Sequence, residues 1–144
     1  MILDQELRWK DQVNCAFTKG TKWVTQYQRL ARVSGSVSAK YMRRFYLAVA
    51  VPRMLYAADV FLIPQTKHSA GMRGYIRKLT RVQRQAALHI TGAMRTSPTD
   101  SLDVHADLLL FQLLVEKVLH RAAVRLATLP VLHPLMRHVN KAVR

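Results

Sequence analysis

Cysteine occurs once, at Cys15, which rules out a disulfide within the chain and points to a reducing compartment. Acidic residues are also scarce, 8 against 23 lysines and arginines, which sets the net charge at +15. With only 5 glycines and 5 prolines, the composition is not that of a flexible low-complexity tail. No apolar run approaches the roughly 20 residues that span a bilayer. The opening MILDQELRWK carries charge by position 4, unlike a secretory signal. The expected location is intracellular, nuclear or cytoplasmic, neither secreted nor transmembrane.

What is present is apolar and basic. Half of the 144 residues are hydrophobic, enough for one packed domain. The positive charge is even along the chain, +7 over residues 1–67 and +8 over 68–144, so it describes a basic surface rather than a basic tail. Arginine outnumbers lysine by 15 to 8, and the planar guanidinium suits phosphate better than a point charge does. Such a protein is drawn to polyanions, chiefly nucleic acid or an anionic membrane surface.

The apolar spacing is that of helices throughout, which predicts an all-α single domain of four to five main helices. Val13, Phe17, Val24, Tyr27 and Ala31 recur at helical steps between Trp9 and Arg32, and Gly20 on the same stripe implies a close approach by a neighbouring helix. VSGSVS (33–38) reads as a turn, with Ser38 capping a second helix that runs to about Asp59. Pro52 predicts a kink in that central, mostly apolar helix near Ala48 to Val51. A loop over Ile63 to Gly74 precedes a third helix from about Gly74 to Thr91. Thr99 is placed to cap a short helix reaching His105. A last long helix is expected over Leu108 to Leu129, burying Phe111, Val115, Val118, Leu119, Ala122 and Leu126. Pro130 and Pro134 close it, leaving a short basic tail.

A family resemblance runs through nearly the whole chain. Arg43-x-x-Tyr46, Pro52-x-x-x-Tyr56, the aromatic Phe61, Leu79-x-x-x-Gln83 and Gly92-x-x-Arg95-Thr96-x-Pro98-Thr99 occur in that order. They follow an opening Leu3-Asp4-x-x-Leu7-x-Trp9 and precede VEKVLHRAAVRLATLPVLHPL. This order resembles the thumb and linker region between palm and RNase H in non-LTR retrotransposon (LINE-type) reverse transcriptases. Two departures stand out. Ala57 and Ala58 occupy the place of a glycine common after the tyrosine, which tightens or shifts a helix bend. Leu110 replaces a usual proline, which extends the last helix by a turn. The palm's aspartate pair is missing, and the carboxylates present are scattered, whereas two-metal nucleotidyl transfer needs them clustered around Mg²⁺. The resemblance therefore implies a fragment with no catalytic residue and no cofactor of its own, Mg²⁺ belonging to the palm. Met1 falls inside a family motif, in keeping with truncation.

The residues point to binding rather than catalysis. Arg73, Arg77, Arg81 and Arg84 line one face of the third helix, and no acidic residue occurs between Asp59 and Asp100 to neutralise them. Lys19, Lys22, Lys40, Arg43 and Arg44 form a second strip. Tyr41, Tyr46 and Tyr56 lie on or beside the apolar stripe and are read as core before stacking groups. Cys15 has no histidine on its helix, and the six histidines include no i, i+4 pair. The expected partners are an RNA template and an RNA–DNA hybrid or DNA, gripped by phosphate contacts, with self-association through apolar surface exposed by the missing domains. Two rivals are a degenerate remnant that folds without activity and a basic amphipathic protein on anionic lipid.

Overall fold

The computed structural model describes residues 2, 9–33, 37–62, 70–130 and 132–143. The motif around Leu3 to Leu7, the centre of the turn at 34–36 and residues 63–69 of the expected loop lie outside these. The described residues are all-helical, without a strand.

Helix α1 (Lys10–Val33) packs along α5 (Ala70–Thr91), and both face a core built from Val13, Ala16, Val24 and Tyr27 of the first and Leu79, Val82 and Ala86 of the second. Their apolar residues recur every three to four positions, so one stripe of each is buried and charge is left outside. Lys78 ties the pair together. Its ammonium donates to Asn14 Oδ1 and sits 5.1 Å from the centre of the Phe17 ring. This third helix begins at Ala70, a turn earlier than its apolar pattern indicates.

The central segment starts at α2 (Ala39–Phe45), where the Ser38 hydroxyl accepts from the Lys40 amide as a cap. It continues through a π-helical turn (Tyr46–Ala50) into α3 (Val51–Met54). Pro52 has no amide hydrogen for the Ala48 carbonyl, and the π turn lies immediately before it, with Val51 N–H reaching back to Tyr46. The proline is thus absorbed in a bulge, and the break comes afterwards. Ala57 turns left-handed, with φ 60°, before α4 (Ala58–Phe61). The alanine thus holds a conformation that glycine adopts at less cost. Gly20 meets the expectation of a close approach, because a Cβ there would lie 2.5 Å from Met54 Sδ and 3.0 Å from Val82 Cγ1.

Helix α5 stops at Gly92, which takes φ 67° and donates its amide to Leu88. Helix α6 (Thr99–His105) follows, but Thr99 does not cap it. Pro98 holds the cap position without a side-chain bond, and the Thr99 hydroxyl instead accepts from Arg84. Helix α7 (Phe111–Ala127) starts three residues later than expected. Leu108 N–H donates to Asp103 and the Leu109 carbonyl accepts from Gln83, so this backbone is committed across the fold. Leu110 is extended, with ψ 133°, and adds no turn. Phe111 and Val115 are buried, Val118, Leu119 and Ala122 only partly, and Leu126 is exposed. The expected tail carries a further helix, α8 (Met136–Val143), which packs on α7.

Candidate nucleic-acid interface

Arg73, Arg77 and Arg81 are exposed on α5 at i, i+4 and i+8. At a rise of about 1.5 Å per residue they span roughly 12 Å along one side of the helix. None of the three forms a hydrogen bond or ion pair among the described residues. They border a groove of about 580 Å³ whose other wall is the start of α6 and α7, with Thr80, Thr99 and Gln112 among its polar lining. Asp100 and Asp103 also line it, brought there by α6 folding against α5. The acidic residues distant in sequence are therefore close in space, though unpaired with the row.

Arg84 lines the same groove but is tied up within the fold. Its guanidinium donates to Thr99 Oγ1 at 2.7 Å, to the Arg95 carbonyl at 2.7 Å and to the Ser97 carbonyl at 2.8 Å. Three of its five donor hydrogens are thus spent holding the α5–α6 loop. That loop in turn places Arg95, which the sequence pattern did not single out, beside Arg81 in a second groove against α1. Only the loop's fold reveals this, because Arg95 shares no helical period with the row.

The second strip does not form one surface. Lys19 and Lys22 line a groove with Trp23, Gln26, Pro52, Arg53 and Tyr56. Arg43 instead spans from α2 to the α6–α7 corner, where its Nη2 lies 2.8 Å from Asp107 Oδ2 and its Nε donates to the Asp107 carbonyl at 2.7 Å. Its charge is locally compensated. Lys40 and Arg44 are exposed on α2, which packs against α5 rather than beside the lysines of α1.

The tyrosines also separate. Tyr46 is fully buried as expected, but Tyr41 and Tyr56 are exposed. The Tyr46 hydroxyl donates to Gln83 Oε1 at 3.2 Å, and Gln83 Nε2 donates to the Leu109 carbonyl at 2.9 Å. Burial, and then the nearby Asp103 carboxylate, push the Tyr46 phenol well above its ordinary range. Asp103 is buried, and among the described residues neither carboxylate oxygen has a partner in normal hydrogen-bond geometry. Burial raises its pKa most, the adjoining Gln83 amide opposes this, and Asp100 adds to it. The described residues contain no group of three histidines, cysteines or carboxylates arranged to hold a metal.

Compared with known proteins, the chain matches no family model, no curated protein and no solved structure. No helix among the described residues is long and apolar enough to cross a membrane.

Proposed function

We propose that this protein is a nucleic-acid-binding helical domain that grips duplex backbone, in the manner of the region between palm and RNase H in the retrotransposon reverse transcriptases it resembles. The observation that carries this reading is the row Arg73, Arg77 and Arg81, three exposed guanidinium groups without a partner among the described residues, on one helix of a chain charged +15. Three like charges within roughly 12 Å repel one another, and a phosphate backbone relieves that repulsion while its counterions are released. Contacts of this kind fix register on a duplex without reading its bases, which suits a surface that slides along template and primer. In this reading the chain contributes no catalytic group, and Mg²⁺ chemistry belongs to a separate palm. A degenerate remnant would keep the fold and lose this affinity.

Anisotropy titration of an RNA–DNA hybrid against salt tests the reading. R73A/R77A/R81A is expected to reduce the slope of log affinity against log salt by about 2 to 3, near 0.9 for each phosphate contact removed. An unchanged slope and affinity would overturn the assignment of this face. Binding to anionic vesicles in preference to the hybrid would favour the lipid reading.

A further inference from the structure

We propose a second nucleic-acid site, separate from the arginine row: the groove between α1 and α3, which takes unpaired bases. Its α1 wall is Lys19, Lys22, Trp23 and Gln26, spaced i, i+3, i+4 and i+7 on one side of the helix. Its other wall is Pro52, Arg53 and Tyr56. Among the described residues three cations line it and no carboxylate does, in contrast to the groove beside α5. A polyanion therefore enters without meeting like charge.

The aromatic groups decide which polyanion. Tyr56 is 65% exposed, at the point where Ala57 turns left-handed and ends the central helix. Trp23 is partly buried and its ring lies 5.0 Å from that of Tyr27, tilted by 34°, so one side is supported by the core. The two walls are held together where Met54 crosses Gly20. An intact duplex keeps its bases stacked inside and presents phosphate, which leaves exposed rings without a partner. Single strands offer free base faces, which stack on aromatic side chains whatever their sequence. The groove, about 690 Å³, is concave and walled on two sides, which fits an extended strand better than a flat lipid surface. Lys19, Lys22 and Arg53 would then meet the phosphates and Trp23 and Tyr56 the bases. This site would hold a displaced or unpaired strand while the α5 row holds duplex.

The chain has 2 tryptophans, Trp9 and Trp23, so W9F leaves Trp23 as the sole reporter. An oligothymidylate of about 12 nucleotides is expected to quench its fluorescence and to bind about tenfold more weakly to Y56A, with Y56F retaining most of the affinity. K19E/K22E is expected to weaken the same oligonucleotide by about tenfold or more, while hybrid-duplex affinity stays within about threefold of the parent. R73A/R77A/R81A should give the opposite pattern, so either site can fail alone. No quenching of Trp23, parental binding by Y56A, or quenching by phosphatidylserine vesicles but not by oligothymidylate would each overturn the proposal. Circular dichroism of the variants shows whether a loss of binding is a loss of fold, and Y56A that binds weakly while folded as the parent upholds it.

Discussion

At single residues, two positions sit against their local chemistry. Asp103 is buried, neither oxygen has a partner within normal hydrogen-bond geometry among the described residues, and its pKa is raised, mainly by desolvation, against the lowering effect of the nearby Gln83 amide. The folded protein therefore binds a proton more tightly here than the unfolded chain does. The stabilising share of that difference is complete below the ordinary Asp range, about pH 4, and is lost as pH rises through the folded value. D103N is accordingly expected to melt at a higher temperature than the parent at pH 7 and to converge with it near pH 4. A D103N melting temperature that stays below the parent's across this range would show that the carboxylate has a partner in solution. Ala57 is the second case. An L-residue in the left-handed region costs roughly 1–2 kcal/mol, which glycine avoids while losing more chain entropy on folding. A57G is expected to stabilise the fold by about 0.5–1 kcal/mol, read from urea unfolding. A destabilised A57G would mean that the bend after Tyr56 is set by packing of the alanine methyl.

At the scale of elements, the arginine face expected from the sequence divides into two jobs. Arg73, Arg77 and Arg81 make no hydrogen bond or ion pair among the described residues, while Arg84 spans the end of α5, the Arg95–Ser97 loop and the start of α6. R84A is expected to cost about 1–3 kcal/mol, since three charge-assisted bonds that hold the loop are lost. It should also release the loop, measured as faster amide exchange at residues 93–98, with a smaller loss of hybrid affinity than R77A. If R84A folds like the parent and loses as much affinity as R77A, it is a phosphate contact after all. Helical period placed the four arginines on one side and could not distinguish them, because Arg84's partners come from a later loop. The same limit explains other differences. Gly20, Ser38 and Pro52 act within or beside their own helices, and their roles were legible. Leu110 and Thr99 stand at or beside bonds from Gln83 and Arg84, which are distant in sequence, so the extra turn expected from Leu110 and the cap expected from Thr99 are absent, while α6 ends at His105 as its pattern indicates. Arg43, Tyr46 and Gln83, three residues that carry the family resemblance, are joined by buried or bridging bonds. They describe how the scaffold is braced more than what it binds.

At the scale of the whole molecule, charge and apolar exposure act in opposite directions. Only Phe111 and Val115 of α7 are fully buried, while Leu113 and Val124, which fall on one side of the helix, are 44% and 46% exposed beside Lys117 and Arg121. Burying this apolar surface between copies is favourable by roughly 25 cal/mol for each Å² covered, but each copy carries +15 and repels the next. Salt shortens the range of that repulsion, to about 3 Å at 1 M, and leaves the apolar gain intact or stronger. Self-association is therefore expected to rise with salt in sedimentation velocity, and nucleic-acid binding to fall with it. L113E/V124E should sediment as a monomer at every salt concentration and keep the hybrid affinity of the parent to within about threefold, since neither residue lies in the arginine row. A parent that is monomeric throughout, or that dissociates as salt rises, would exclude this face as a contact between copies.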